Sequence, residues 1–317
     1  MVTNDDVRNA YRLILGREPE NDQVVEEQRN HADLAALRRH FLASDEFRIK
    51  EGGGRHPSSL GGYRDQIVHD IEWECAPDVL QEMLSRTSEV WTTFGEEAPH
   101  WSVLVNEEFK PGTIDQNIDK FYKTGLGDVD ICLNSLRRAG VRADRFERAL
   151  DFGCGVGRLS LALAGLADHV TSIDVSAGHL KLARERAAQT GVENVEWVQL
   201  KDLRDLGQFK NYDLVLSLIV LQHNPPPVMA FAFRALLGAL KPGGFAVIQI
   251  PTYIQPVFKI ETYLAHASGE MEMHALPQSV IYKIIDEEGC VPVEIREDES
   301  IGPIGVSQNF TIMKKRT

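Results

Sequence analysis

The chain has 317 residues, 43% hydrophobic and 26% charged, with a formal net charge of -13. That composition fits a soluble globular protein of about two domains. The acidic balance disfavours a protein that binds by covering phosphates with Lys and Arg, so no nucleic-acid partner is expected. No stretch approaches the roughly 18–20 apolar residues of a membrane span. The start, Met1-Val2-Thr3-Asn4-Asp5-Asp6, lacks a basic-then-apolar signal pattern, which predicts a cytoplasmic protein. Cys75, Cys132, Cys154 and Cys290 are far apart and read as reduced, mostly buried thiols.

Residues 1–51 read as a small helical domain. Val7, Ala10, Tyr11, Ile14 and Leu15 fall at helical spacing, and Gly16 and Pro19 stop the helix. A second apolar pattern runs through Leu34, Leu37, Phe41 and Leu42, after which Ser44 can cap a turn carrying Phe47. The stretches Ala10-Tyr11-Arg12-Leu13-Ile14-Leu15-Gly16-Arg17-Glu18-Pro19 and Phe41-Leu42-Ala43-Ser44-Asp45-Glu46-Phe47 resemble the ends of a helical domain of the phycobilisome-linker group. Homo-oligomerisation, docking and simple packing all remain open as its role.

Residues 52–62, with Gly52-Gly53-Gly54 and Pro57-Ser58-Ser59, read as a linker. Residues 63–146 read as a helical cap, with helices over 63–73, 79–92 and 129–139, the last closed by Gly140. Tyr122 is the aromatic singled out for the site, because a buried hydroxyl needs a partner.

Residues 147–317 alternate strands and helices, which predicts a parallel sheet covered on both faces. The first strand runs into Leu150-Asp151-Phe152-Gly153-Cys154-Gly155-Val156-Gly157-Arg158. Three alternate glycines suit a tight strand-to-helix turn that a ligand can approach closely. The spacing departs from the dinucleotide fingerprint, because Arg158 occupies its last glycine position. Asp151 would repel a pyrophosphate and attract an ammonium group. About 20 residues on, the strand 169–174 ends in Asp174, where a ribose-binding acid belongs.

Loop and second acid together resemble the class I S-adenosylmethionine-dependent methyltransferases, with the flanking segments closest to a sugar- and polysaccharide-associated subgroup. The resemblance implies an α/β, Rossmann-like seven-stranded sheet, mostly parallel with an antiparallel edge hairpin. It implies S-adenosylmethionine as cofactor and S-adenosylhomocysteine as product. It places Gly153, Cys154, Gly155 and Gly157 beside the cofactor, with Asp174 and Val175 at its ribose. Asp202 matches the acid that accepts from the adenine amino group, Leu203 packs on the ring, and Ser217 closes the fourth strand beside the cofactor. No ligand cluster marks a metal.

Residues 251–276 read as an irregular insertion at the carboxyl edge of the sheet, forming an acceptor pocket or lid. His223, five residues beyond the fourth strand, is the expected general base, with His274 as its rival. Gln222 and Tyr253 join Tyr122 and His274 as acceptor-side candidates. Asn224-Pro225-Pro226-Pro227 lacks the aromatic ring of base-amino methylases. The sequence thus predicts O-methylation of a sugar or saccharide hydroxyl. The alternatives are another small-molecule hydroxyl, carboxylate or amine, or a non-catalytic cofactor-binding or scaffolding protein.

Overall fold

The computed structural model describes residues 2–42, 44, 46–47, 70–141, 145–266 and 271–316. Two compact units emerge, Met1–Val68 and His69–Thr317. The expected linker, 52–62, lies outside the described residues.

The first unit holds α1 (Asn4–Leu15), α2 (Asp22–Gln28) and α3 (Leu34–Leu42). Thr3 and Asp6 form a reciprocal capping box at the start of α1, and Gly16 ends it in the left-handed region. Val7, Tyr11, Val25, Leu37 and Phe41 make its small core. Asn21 caps α2, a helix with no long apolar stripe of its own and one that the sequence pattern does not reveal. Phe47 N–H donates to Ser44 Oγ, at 3.2 Å.

The second unit begins with β1 (Asp70–Ile71), α4 (Pro77–Glu97), α5 (Pro99–Val103) and α6 (Ile114–Arg138). Where a helix was expected through 70–73, Asp70 and Ile71 instead pair parallel with Val257 and Phe258. Long-range pairing overrides local propensity here. The expected 129–139 helix is the last part of α6, which also absorbs Phe121, Tyr122 and Gly125.

There follow β2 (Phe146–Phe152), α7 (Arg158–Ala164), β3 (Ala167–Asp174), α8 (Ala177–Thr190), β4 (Val195–Gln199), β5 (Tyr212–Ser217) and α9 (Pro226–Gly238). The chain ends with β6 (Leu240–Tyr253), β7 (Val257–Phe258), α10 (Ile260–Ala265), α11 (Gln278–Glu287), β8 (Cys290–Asp298) and β9 (Val306–Lys314). The seven-stranded sheet has the order β4-β3-β2-β5-β6-β9-β8. Pairs from β4 to β6 are parallel, and β9 is antiparallel to both β6 and β8. This is the expected Rossmann-like, mostly parallel seven-stranded sheet with an antiparallel edge hairpin.

The sheet separates two apolar layers because successive strand residues face opposite ways. Leu150, Val215 and Ala246 face the layer that includes Phe233 and Ile284, and Ala149, Leu214 and Val247 face the layer that includes Leu133, Leu136 and Leu163. The described part of the 251–276 insertion is more regular than expected. β7 and α10 lie within it, and Arg86 of α4 donates to the carbonyls of Tyr263, Leu264 and His266 at 3.1, 2.6 and 3.1 Å. Lys259 ion-pairs Asp70 and Glu72.

Gly125 sits inside α6, where glycine costs about 1 kcal/mol against alanine. A Cβ there would overlap the Arg158 carbonyl of α7. Gly125→Ala is therefore expected to destabilise the fold, by about 1–3 kcal/mol through overpacking. A thermal melt with an unchanged midpoint would contradict this close approach of α6 and α7.

Candidate active site

The turn after β2 is built around three glycines with φ of 75°, 52° and 83° at Gly153, Gly155 and Gly157. Space and torsion angle both demand glycine. A Cβ on Gly153 would collide with Val220, one on Gly155 would lie 2.7 Å from Val103, and one on Gly157 would lie 2.7 Å from Trp197. Gly153 and Cys154 donate to Ile173 O at 2.8 and 3.0 Å. Asp174 then fastens the turn: its two carboxylate oxygens accept from Gly155 N–H and Ser176 N–H, each at 2.8 Å.

Beside this turn lies a cavity of about 890 Å³ of atom-free space, part of it open to solvent. Gly153, Cys154, Gly155, Asp174, Val175 and Leu203 line it, six of the residues expected to meet the cofactor. Leu84, Thr87 and Trp91 of α4 and Ser102 and Val103 of α5 close it from the cap side. His179 and Arg158 also line it. Burial lowers the pKa of His179, so its ring is neutral at pH 7, and it bonds Ser102 Oγ at 3.0 Å and Pro99 O at 3.2 Å.

Arg158 is buried, ion-paired to Asp128 and bonded to Thr124 Oγ1 at 3.1 Å, while its Nε–H has no acceptor. A buried guanidinium N–H without a partner on a cavity wall suits an anionic ligand group. Arg158 stood in the sequence only as the residue that broke the dinucleotide pattern. Trp91 and His179 carried no motif at all.

Four expected cofactor residues lie elsewhere. Asp151 does not line this cavity: one oxygen of its buried carboxylate accepts from Ser160 Oγ at 2.6 Å, and the other has no partner among the described residues. Gly157 packs against Trp197. Asp202 is held by Arg204 at 2.9 Å, which keeps its carboxyl down at about 2. Ser217 is fully buried with an unpartnered hydroxyl.

The acceptor-side candidates also change setting. Tyr122 donates to Val156 O at 3.1 Å and braces the glycine turn from α6. Its phenol is pushed up to about 12 by burial. His223 is 8% exposed, and burial holds its imidazole at about 4. Nδ1 donates to Glu272 O at 3.0 Å, and Nε2 is 3.1 Å from Gln222 Nε2, which donates to it. The Trp91 ring, 5.1 Å away between centroids, stands on the cofactor cavity where His223 does not. The expected general base is thus a buried neutral ring with both nitrogens engaged, because the insertion folds back onto it. Gln222 links it onward to Gln249 Nε2 at 3.0 Å. His274 meets Glu272 Oε2 at 3.1 Å and packs against Phe258 and Tyr263. Tyr253 ends β6 opposite Val306.

After β5 the backbone turns through Ile219, a β-branched residue at φ 61°. Its N–H donates to Gln249 Oε1 at 3.0 Å. Such a conformation costs on the order of 1–3 kcal/mol and collects at functional sites.

Part of the chain is similar to known proteins. Residues 149–244 match the family model for a methyltransferase domain. The chain is 41% identical over 101 residues to the ubiquinone biosynthesis O-methyltransferase of Marinobacter nauticus, covering 31% of this chain and 41% of that protein. It is 37% identical over 99 residues to the Aeromonas salmonicida protein of the same name, covering 31% and 40%. The chain therefore spans about two fifths of the length of the curated relatives it matches. Among solved structures, magnesium protoporphyrin IX methyltransferase from Synechocystis, with bound S-adenosylhomocysteine, aligns at a TM-score of 0.51 and 17% identity, over 75% of this chain and 100% of that one. Residues 149–244 thus resemble a methyltransferase domain, and the second unit shares the fold of a solved methyltransferase.

Asp151 yields a test. Its folded pKa of about 6 lies above the ordinary carboxyl value of 3.8 because burial penalises the charge. A raised folded pKa means that the folded state holds its proton longer, so this contribution is fully present below pH 4 and is lost as pH rises through 6. Asp151→Asn removes it. The stability of the wild type relative to the variant should fall by up to about 3 kcal/mol between pH 4 and 7. Parallel stability curves would contradict a buried, protonatable Asp151.

Proposed function

We propose that the protein transfers a methyl group from S-adenosylmethionine to a hydroxyl of a small molecule, with a sugar or saccharide hydroxyl as the finer reading. One observation carries the methyltransferase assignment: the glycine turn and Asp174 meet on a single cavity wall. Relatives named O-methyltransferases support an oxygen acceptor. The sugar reading rests on the resemblance of the flanking segments.

Asp174 and Val175 would hold the ribose, Leu203 the adenine, and the unpartnered Arg158 Nε–H the carboxylate of the methionine part. When bound, S-adenosylmethionine would supply a methyl group already activated on sulfur, and the proton of the acceptor hydroxyl would pass to solvent. Holding donor and acceptor in line is the protein's main contribution to such a transfer. Leu84, Thr87 and Trp91 exclude water from one side. His223 acts as a positioning residue that ties the insertion to the turn after β5. The helical unit at the start of the chain would serve docking or self-association.

Calorimetry tests the assignment. S-adenosylmethionine should bind and NAD should not; the reverse result would overturn it. Asp174→Ala should weaken binding by about 1–3 kcal/mol through lost hydrogen bonds. His223→Ala should lower the melting temperature yet leave the shape of the kcat pH profile unchanged. Loss of a titration from that profile would restore His223 as the general base.

A further inference from the structure

A second cavity, of about 1160 Å³ of atom-free space and partly open to solvent, adjoins the first. Leu218 and Ile219 line both. The ion pair of Arg158, on the first cavity, with Asp128, on the second, completes the partition.

Strand register explains its chemistry. Gln249 pairs with Asn309 and Val247 with Thr311 across β6 and β9, while Arg296 pairs with Asn309 and Glu294 with Thr311 across β8 and β9. Directly paired residues share a sheet face. This face is therefore polar, although the neighbouring face of the same strands packs the apolar core through Ile248, Phe310 and Ile312. Gln249 and Thr311 on this face are buried, Glu294 and Asn309 are half-buried and Arg296 is exposed, so the face is open to a polar ligand from solvent. The helix α6 covers only one end of it, where Thr311 Oγ1 donates to Ser135 Oγ at 2.8 Å and Arg138 grips Glu294 at 2.6 and 2.7 Å.

The open hydrogen-bonding capacity is specific. Asn309 spends its Nδ2–H on Asp298, at 2.9 Å, which leaves Oδ1 to accept. Arg296, exposed beside Glu294, has guanidinium N–H groups to donate. No aromatic ring lines the cavity among the described residues. The carboxylates of Asp128, Glu294, Glu297 and Asp298 outnumber the guanidiniums of Arg138 and Arg296, which disfavours an anion.

We infer that this cavity receives the methyl acceptor, and that the acceptor is an uncharged polyhydroxylated molecule, held by Asn309 and Arg296 so that one hydroxyl reaches past Leu218 and Ile219. This rests on the methyltransferase reading. It moves acceptor recognition away from the 251–276 insertion and disfavours both apolar phenols and sugar phosphates.

The test uses the full chain and labelled S-adenosylmethionine. Methyl glycosides, inositols and neutral disaccharides are compared with catechols and sugar phosphates, with cofactor affinity measured alongside. Methylated product should come from an uncharged polyol. Asn309→Leu and Arg296→Ala should each raise its KM by about tenfold or more, with cofactor Kd unchanged. Product only from catechols or sugar phosphates would overturn the inference, as would an unaltered KM in both variants. So would a wild-type protein that binds cofactor and methylates none of the polyols. Failure to bind S-adenosylmethionine at all would instead bring down the methyltransferase reading beneath it.

Discussion

The site depends on three missing side chains. Gly153, Gly155 and Gly157 each adopt a left-handed conformation, and each faces a bulky neighbour from a different part of the second unit: Val220 after β5, Val103 in the cap, Trp197 in β4. A side chain at Gly153 or Gly155 would push away a wall of the cavity, and one at Gly157 would push Trp197 off the turn. The turn thus does more than approach a ligand. It sets how closely the sheet, the cap and the loop after β5 can converge. Asp174 completes that convergence with two backbone hydrogen bonds, which also orient its carboxylate on the cavity.

Much of this was legible in the sequence, because it resides in local patterns. Glycines at alternate positions and an acid some 20 residues later are read along one βαβ unit, and both reach the cavity. The α8 helix, Ala177–Thr190, ends at Gly191 in the left-handed region. What stayed hidden depends on side chains from distant segments meeting. Asp151 stands at the expected strand end, yet the buried hydroxyl of Ser160 captures its carboxylate. Asp202 reaches the expected loop, yet Arg204, two residues on, claims it. His223 lies just past β5 as expected, but Glu272 and Gln222 occupy both ring nitrogens. Spacing along the chain locates a residue; it says little about which neighbour will take its proton or its lone pair.

Gln249 shows the same principle from the opposite side. It sits mid-strand in β6, fully buried, with no motif around it. Its amide nonetheless supports the strained backbone of Ile219 and bonds Gln222 and Ser307. A buried amide of this kind is favourable only when its donors and acceptors are matched. The turn after β5, the partition between the cavities and the imidazole of His223 therefore share one network, in which no member can be changed independently.

The grip of Arg86 on the carbonyls of Tyr263, Leu264 and His266 has a mechanical consequence. The same helix, α4, that sends Leu84, Thr87 and Trp91 over the cofactor cavity also carries the insertion, and the β1–β7 pairing adds a second seam. A swing of that helix away from the sheet would draw α10 with it. Cap and insertion are thus tied at two seams, so a displacement of α4 would also disturb the insertion whose Glu272 carbonyl meets His223.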